Sequence, residues 1–342
     1  MNKKIISILT LSSLAALSAC GSGGGTTSKT VISYVNAYGK DYQPTIEKMI
    51  SDFEAIHKDI EVKNVVISGN YDTIHTQTKA DISAATGEYG DLVICYPDHV
   101  VDYINYGVAV QLDDLMDDPD IGWTAEEKAD MIQGFLEEGQ KYPIEGTWSL
   151  PYSKSTEALY YNADVLVGLN LSSIDPTING GLPLTVSYID NLTWEELFEK
   201  LCPAIVAYNE SLPSNEKILI DGGEKAINGI VGYDSTANLF INLCEQYGYG
   251  YTSVDTSTGK GSIDFNNDNV KALMRTFNEA GKNNYLVPSS RISNNSYCSS
   301  YFVAQNLLFN IGSTAGVGHE VSKDFNVNVT SIPGAANGNK HV

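Results

Sequence analysis

The chain has 342 residues, 42% of them hydrophobic, which is enough to form the cores of two domain-sized units. It carries 42 acidic and 21 basic side chains, giving a formal net charge of −21 at pH 7. Such an acidic surface repels phosphate backbones and anionic lipid headgroups, so we expect no nucleic-acid partner and no electrostatic adsorption to a membrane.

The N-terminus has the pattern of a bacterial secretion signal. Two lysines precede an apolar stretch, residues 5–17, which is shorter than the roughly 20 residues needed to span a bilayer. The segment Leu17-Ser18-Ala19-Cys20 resembles a lipobox and is followed by a Gly/Ser run. The resemblance implies a signal peptide over 1–19, a lipid on the sulfur of Cys20 and a flexible tether over 20–29. An ordinary signal peptide with a chance cysteine is the alternative.

Strands and helices alternate through the first half of the chain. Residues 31–35 and 60–67 are predicted strands, and a helix with apolar residues at helical spacing begins at Pro44 between them. A second helix follows Gly69-Asn70, and residues 91–96 form a third strand that is apolar on both faces. This alternation predicts βαβ units and a doubly wound α/β fold.

The second half continues the same pattern. A capping box at Thr193 begins a helix that Pro203 is expected to end, and Asn266 is expected to cap a later helix. Residues 307–311 and 325–332 are predicted late strands. The second half is therefore also expected to be α/β.

Several motifs occur in an order typical of one protein family. They are residues 90–93 (GDLV), 150–156 (LPYSKST) with 159–162 (LYYN), 193–197 (TWEEL) and 309–316 (FNIGSTAG). Together with the lipobox they resemble the family 1 extracellular solute-binding proteins of bacterial ABC importers, which include maltose-binding and sn-glycerol-3-phosphate-binding proteins.

The resemblance implies a two-lobe, periplasmic-binding-protein-like fold of type II, with lobes joined by a hinge that the chain crosses several times. Lobe 1 is expected over 30–145 plus 303–332, and lobe 2 over 146–302. Such a protein captures a small polar solute (a sugar, oligosaccharide or polyol) by hinge closure and delivers it to a membrane permease. We expect a monomer without a cofactor, anchored by its lipid at the outer face of the cytoplasmic membrane.

Two further expectations follow from the family. Gly69-Asn70-Tyr71 is similar to the glycerol-phosphate branch, so a phosphorylated polyol is the second ligand class, although neither Arg275 nor Arg291 has the pattern of a phosphate clamp. Family members also generally continue through helices after the late strand, whereas residues 333–342 form a Pro/Gly/Asn-rich loop. The resemblance therefore implies that the natural chain extends beyond Val342; a natural short form is the alternative.

Ligands of open parallel α/β sheets lie at the carboxyl ends of the strands. The loops after the first three strands therefore provide one wall, and the segments after the hinge strand and before a second-lobe helix provide the other. Ser155 and Thr156 stand where the family places ligand-contacting hydroxyls. Polyols need paired donors and acceptors together with flat ring faces, which Asp, Asn, Ser and Tyr supply. The candidates are Asn36, Tyr38, Asn70, Tyr71 and Tyr96 on the first wall, Tyr152, Ser153, Ser155, Thr156, Asp234 and Ser235 on the second, and Ser313 at the end of the late strand that is expected in lobe 1.

Catalytic and metal-binding motifs are missing from the sequence. It contains no Gly-x-Ser-x-Gly elbow, no His-Glu-x-x-His, no Walker loop and no Cys-x-x-Cys pair, and its five histidines are scattered. We therefore expect no enzyme and no metal site. A secreted carbohydrate-active enzyme with two facing carboxylates, or an adhesin, is a remote alternative. Free thiols are expected at Cys95, Cys202, Cys244 and Cys298, with one disulfide as the alternative.

Overall fold

The chain divides into two compact units, Met1–Tyr152 and Ser153–Val342. The computed structural model describes residues 28–85, 87, 89–219, 229–255, 257–292, 297–337 and 339. The predicted signal peptide, the lipid-bearing Cys20 and most of the tether over 20–29 lie outside the described residues. Each unit has its own sheet, and we describe them separately as unit 1 and unit 2.

Unit 1 is built on a parallel sheet of three strands in the order β2-β1-β3. Parallel pairing with intervening helices confirms the predicted βαβ alternation. β3 is only two residues long, shorter than predicted, because Leu92 is exposed and only this part pairs with β1. The elements are β1 (Thr30–Asn36), α1 (Gln43–Ile56), β2 (Ile60–Val66), α2 (Tyr71–Ser83), β3 (Leu92–Val93), α3 (Pro97–Asn105), α4 (Asp113–Met116), α5 (Ala125–Asp130) and α6 (Gln133–Glu138).

The helices of unit 1 begin where the sequence supplies a cap. The Asn70 side chain accepts the backbone N–H of Thr73 at 3.0 Å, which satisfies one of the free donors at the start of α2. Thr124 and Glu127 form a reciprocal capping box at the start of α5. These local signals fix where each helix starts, and hence which side chains lie in the loops before it.

Unit 2 contains most of the large buried side chains. Its elements are β4 (Glu157–Asn162), α7 (Ala163–Leu166), α8 (Val186–Asp190), a π-helical stretch (Glu196–Leu201), α9 (Cys202–Ser211), β5 (Val231–Tyr233), α10 (Thr236–Gln246), β6 (Thr252–Asp255), β7 (Lys260–Ile263), α11 (Asp268–Lys282), β8 (Leu286–Pro288), α12 (Ser299–Val303), β9 (Phe309–Ser313) and β10 (Val327–Ser331).

The main sheet of unit 2 has five strands in the order β10-β4-β9-β5-β8. β4 is an interior strand next to the edge strand β10, antiparallel to both β9 and β10, and all six of its residues are buried. β5 pairs in parallel with β8 and β9. A core of apolar side chains from the helices, including the fully buried Trp194, packs against this sheet. The burial of Tyr160 and Tyr161 makes them packing residues of the sheet.

Two features correct the domain division predicted from the sequence. Residues 303–332 were assigned to the first lobe, but β9 is hydrogen bonded between β4 and β5, and β10 is paired with β4, so the segment belongs to unit 2. The boundary falls after Tyr152 instead of after residue 145. The two units are therefore consecutive segments of the chain.

Two general features concern the described residues only. In that part of the chain, no helix is both long enough and apolar enough to cross a membrane. Cys95, Cys202, Cys244 and Cys298 carry free thiols, and the last three are buried. The expectation of free thiols is confirmed for these four residues.

Candidate functional site

Five tyrosines of unit 1 form a cluster that we call the tyrosine patch: Tyr34, Tyr38, Tyr71, Tyr96 and Tyr152. The ring centroids of Tyr71 and Tyr96 are 4.9 Å apart in an edge-to-face arrangement, and those of Tyr38 and Tyr152 are 6.2 Å apart. Tyr96 and Tyr152 are 49% and 55% exposed, whereas the other three are half-buried. The patch therefore presents ring faces to solvent on a partly buried base.

The parallel strands explain why these tyrosines meet. Tyr38 follows β1, Tyr71 begins α2 after β2, and Tyr96 lies between β3 and α3, so three of the rings lie at the carboxyl edge of one sheet. Gly69 allows the turn before Tyr71, since its φ is +140° and a Cβ there would lie 2.4 Å from Thr73 Oγ1. Tyr38, Tyr71 and Tyr96 thus lie at one edge of the sheet, and their role as a ligand-binding wall stays a prediction.

Burial controls the protonation of the patch. It raises the pKa of Tyr34 well above the usual range, and the neighbouring Tyr152 hydroxyl raises it further. The pKa of Tyr71 is raised in the same way by burial and then by Tyr38. Both hydroxyls consequently stay protonated at neutral pH and can donate as well as accept hydrogen bonds.

One hydroxyl of the patch is unsatisfied. The buried Tyr34 hydroxyl faces the Tyr152 hydroxyl, but among the described residues no group meets both the distance and the angle of a hydrogen bond to it. Buried polar groups without partners are rare and costly, so a ligand hydroxyl at this position would remove a penalty that the ligand-free protein carries. The sequence reasoning missed Tyr34 because it lies inside β1, not in the loop after it.

The two predicted asparagines have scaffold contacts. The Asn36 side chain is fully buried, donates to Asn64 Oδ1 at 2.8 Å, and accepts from the Tyr38 backbone N–H and Gln43 Nε2, each at 3.2 Å. The Asn70 side chain caps α2. Asn36 therefore holds the loop that carries Tyr38, and Asn70 sets the start of the helix that carries Tyr71.

Tyr152 was predicted on the wall from the second lobe, and its position corrects that expectation. It belongs to unit 1, where its ring packs against Tyr38, because the unit boundary follows it directly. Ser153, Ser155 and Thr156 begin unit 2 and are exposed. The three hydroxyl residues thus remain available side chains of unit 2.

Unit 2 also gathers predicted polar residues at one edge of its sheet. Thr156 precedes β4, Asp234 and Ser235 follow β5, and Ser313 ends β9. The Thr156 backbone N–H donates to Thr314 Oγ1 at 3.1 Å, which ties the start of β4 to the end of β9. Ser235 caps α10 through the Asn238 N–H, and Ser313 accepts the Ala315 N–H. These short-range hydrogen bonds hold the segments that carry Thr156, Ser235 and Ser313 at this edge of the sheet.

Beneath this edge lie carboxyl groups of which the sequence predicted Asp234, but neither Glu157 nor Glu320. Asp234 Oδ1 accepts the Cys298 N–H at 2.6 Å, and burial raises its pKa although that bond opposes the effect. Glu157 accepts hydrogen bonds from the Tyr233 hydroxyl and from Asn242 Nδ2, and burial also raises its pKa. The available signal for Glu157 was a charged residue at the start of an otherwise apolar strand. No group of three or more His, Cys, Asp or Glu side chains in the described part of the chain has the arrangement of a metal site.

The third buried carboxyl group is that of Glu320, which is 2% exposed. Its Oε1 accepts from Asn310 Nδ2 at 2.8 Å, while its Oε2 has no partner among the described residues. A Cβ on Gly312 would lie 2.7 Å from Asp234 Oδ2 and 3.1 Å from Glu320 Oε1, so both carboxyl groups converge on this glycine. Burial, with the charge of Asp234 adding to it, raises the pKa of Glu320 to about 7.

Comparison with known proteins identifies the family. The profile of the bacterial extracellular solute-binding proteins matches residues 36–211, which is just over half of the chain. The chain therefore belongs to the bacterial extracellular solute-binding protein family, and the family predicted from the motifs is confirmed. A comparison with curated protein sequences finds no match.

Solved structures show the same fold. UgpB from Mycobacterium tuberculosis, crystallised with glycerophosphocholine, has a TM-score of 0.63 at 17% identity over 92% of this chain and 67% of its own. The GacH receptor of Streptomyces glaucescens, crystallised unliganded and with acarbose, has a TM-score of 0.63 at 15% identity over 91% and 68%. The ABC substrate-binding protein Lmo0181 from Listeria monocytogenes, crystallised with cycloalternan, has a TM-score of 0.59 at 16% identity over 90% and 67%. At such low identity these likenesses establish the α/β fold of a two-lobe binding protein, and not the ligand.

Proposed function

We propose that this protein is the substrate-binding component of an ABC importer and that it captures a neutral carbohydrate by hinge closure. The observation that carries the proposal is the tyrosine patch with its unpartnered Tyr34 hydroxyl. Solute-binding relatives of the same fold were crystallised with acarbose and cycloalternan. We further propose that Cys20 carries a lipid that keeps the protein at the cell surface, where it delivers the solute to a permease.

The chemistry of the patch suits a sugar. A pyranose ring has an apolar C–H face that packs on an aromatic ring and hydroxyls at its edge that need paired donors and acceptors. Tyr96 and Tyr152 offer exposed ring surface, and the protonated hydroxyls of Tyr34 and Tyr71 offer hydrogen bonds. The same residues therefore supply both kinds of contact.

A phosphorylated polyol is the second candidate, supported by the Gly69-Asn70-Tyr71 motif and by UgpB with glycerophosphocholine. The electrostatics favour the neutral ligand. A nearby cation would lower a tyrosine pKa, whereas the pKa values of Tyr34 and Tyr71 are raised, and their causes are burial and other tyrosines. Among the described residues, no cation is a cause of these two pKa shifts, so a dianionic phosphate beside Tyr34 and Tyr71 would lack a counter-charge from them.

Isothermal titration calorimetry of the protein with two ligand sets distinguishes the candidates. One set holds neutral mono- and oligosaccharides, and the other holds glycerol 3-phosphate and glycerophosphocholine. We expect micromolar or tighter binding of at least one neutral saccharide and no heat from the phosphorylated compounds. Binding of phosphorylated compounds alone would contradict the neutral-ligand proposal and favour a phosphorylated polyol. No binding heat from either set would contradict the carbohydrate assignment.

Replacing Tyr71 with alanine is expected to weaken binding of that saccharide by about 1–3 kcal/mol, or roughly 5- to 150-fold. The change removes a ring face and a protonated hydroxyl from the patch, while the cap of α2 at Asn70 remains. Tyr71→Phe keeps the ring and isolates the hydroxyl contribution. Tyr297→Ala, at a residue that is 70% exposed in unit 2, is the matched control and should leave the affinity unchanged. Equal affinities of Tyr71→Ala and the parent protein would exclude Tyr71 from the site.

A further inference from the structure

Tyr42 extends the tyrosine patch along the loop between β1 and α1. Its ring centroid lies 5.8 Å from that of Tyr38, which in turn lies 6.2 Å from that of Tyr152. Tyr42 is 57% exposed and Tyr152 is 55% exposed, whereas Tyr38 is half-buried. The patch therefore has an additional, largely exposed ring beside Tyr38.

The loop that carries Tyr38 and Tyr42 is held in a fixed conformation. Gln43 Nε2 donates to the Tyr38 carbonyl oxygen at 2.7 Å, and Asn64 Nδ2 on β2 donates to Gln43 Oε1 at 2.9 Å. Within the loop, the Tyr42 N–H donates to the Gly39 carbonyl oxygen at 3.0 Å. Aromatic rings on such a support lose little conformational entropy when a ligand packs against them.

The fold does not use the Tyr42 side chain as a helix cap. Tyr42 occupies the N-cap position of α1, but its side chain makes no capping hydrogen bond. Its backbone carbonyl accepts from the N–H groups of Thr45 and Ile46, contacts that any residue at this position could make. Since more than half of the side chain is in solvent, it also contributes little to the apolar core. An exposed ring that continues a candidate binding surface is therefore better explained by contact with a ligand.

Tyr42 lies at the margin of the patch and not at its centre. Burial raises the pKa values of the central Tyr34 and Tyr71 hydroxyls, and the tyrosines that raise them further are other members of the patch, not Tyr42. A sugar unit that reaches these two hydroxyls therefore leaves the exposed face of Tyr42 to an adjoining unit.

We propose that the patch binds an oligosaccharide and that Tyr42 stacks against one of its outer sugar units. A sugar unit that stacks on an aromatic side chain covers about one ring. Tyr42, Tyr96 and Tyr152 present three exposed rings, which is more than a monosaccharide can cover. An inner unit near the unsatisfied Tyr34 hydroxyl and an outer unit on Tyr42 use the polar and the apolar parts of the patch together. The inference rests on the proposed function, because it specifies the length of the carbohydrate that the same site takes.

Isothermal titration calorimetry with neutral saccharides of one to three units tests the proposal. The probes are glucose, maltose, maltotriose, cellobiose and cellotriose, together with galactose, mannose and xylose and their β-1,4-linked dimers and trimers. In the series that binds, we expect the trisaccharide to bind at least about tenfold more tightly than the monosaccharide. Equal affinities of monosaccharide and trisaccharide would overturn the inference and leave the proposed function intact. If none of the saccharides binds, the proposed function fails and the inference fails with it.

Substitutions at Tyr42 test its contact with the outer unit. Tyr42→Ala should lower the affinity for that trisaccharide about five- to tenfold and leave the affinity for the monosaccharide unchanged, because only the longer ligand reaches Tyr42. Tyr42→Phe keeps the ring and should bind both as the parent does. Tyr106→Ala, at a tyrosine that is 47% exposed at the C-terminal end of α3, is the matched control and should leave both affinities unchanged.

Two results would exclude Tyr42 as the outer contact. One is a Tyr42→Ala protein that binds the trisaccharide as tightly as the parent does. The other is an equal loss of affinity for monosaccharide and trisaccharide, which would place Tyr42 at the inner unit or in the fold. The comparison of saccharide lengths on the parent protein needs no variant, and it stands even if Tyr42→Ala does not fold.

Discussion

Replacing Trp194 with alanine will lower the free energy of unfolding by about 3–5 kcal/mol, the largest effect we expect from a single side chain. Trp194 is 1% exposed, and its ring lies 5.3 Å from Phe277 and 5.8 Å from Phe198 between centroids. Its Nε1 also donates to Gln246 Oε1 at 2.7 Å. Alanine removes these contacts and leaves a cavity among α11, the π-helical stretch and β5 that their backbones fill only in part.

Two variants separate the contributions to this effect. Trp194→Phe keeps an aromatic ring and removes the hydrogen bond, so it should destabilise by about 1–2 kcal/mol. Trp148→Ala removes a tryptophan of unit 1 that is only partly buried and should have a smaller effect than Trp194→Ala. Urea unfolding followed by circular dichroism measures all three. A Trp194→Ala protein as stable as Trp148→Ala would show that this aromatic cluster is not the centre of the core.

Glu320→Gln is expected to stabilise the protein at pH 8 by about 3 kcal/mol, the free-energy equivalent of a carboxyl pKa raised from 4.5 to about 7. The carboxyl group is buried beside Asp234, and its pKa is about 7 in the folded chain compared with an ordinary value of 4.5. Above pH 7 the folded state contains a buried charge, which the unfolded chain exposes to water. Glutamine keeps the acceptor for Asn310 Nδ2 and removes the charge, so the penalty disappears.

The raised pKa of Glu320 determines how the stability of the protein should change with pH. Between about pH 7 and 4.5 the folded state retains a proton that the unfolded chain releases, so the stability of the parent should rise as the pH falls through this range. Many other carboxyl groups titrate as well, so the quantity to compare is the difference between parent and variant. That difference should be largest at pH 8 and shrink towards pH 5. Glu210→Gln, at an exposed residue of the same unit, should show no such trend; an equal trend in both variants would refute the assignment to Glu320.

The fold could be predicted where local sequence signals and the tertiary structure agree. The Thr124 capping box, the Asn70 cap and the alternation of strands and helices in unit 1 all appear as predicted. The later helix is capped by Asn267 instead of the neighbouring Asn266, since either amide suits the role and tertiary contacts choose the register. Pro203 does not end its helix: the π-helical stretch Glu196–Leu201 runs directly into α9, and Leu201 and Cys202 keep helical φ/ψ, so the irregular turn before the proline is where its missing N–H is accommodated.

The pairing of strands that are far apart in the chain could not be predicted from the sequence. Both late strands were found near their predicted positions, but their partners were not, because hydrophobic periodicity reports burial and not which strand lies alongside. The same limit applies to the site. Candidate residues at strand ends could be predicted because the order of the strands places them. The importance of Tyr34, Glu157 and Glu320 could not be predicted, because it depends on which face of a strand or turn packs against a buried neighbour.

The interior position of β4, between two strands from the end of the chain, has a consequence for how unit 2 folds. β4 pairs only with β9 and β10, and the contact between Thr156 and Thr314 joins positions 158 residues apart. During export, β4 therefore has no strand to pair with until β9 and β10 have also crossed the membrane. Closing so long a loop before any pairing energy is gained makes folding slow. During that interval the free edges of β4 are open to pairing with other chains, which makes this strand the segment of unit 2 most in need of protection by a chaperone.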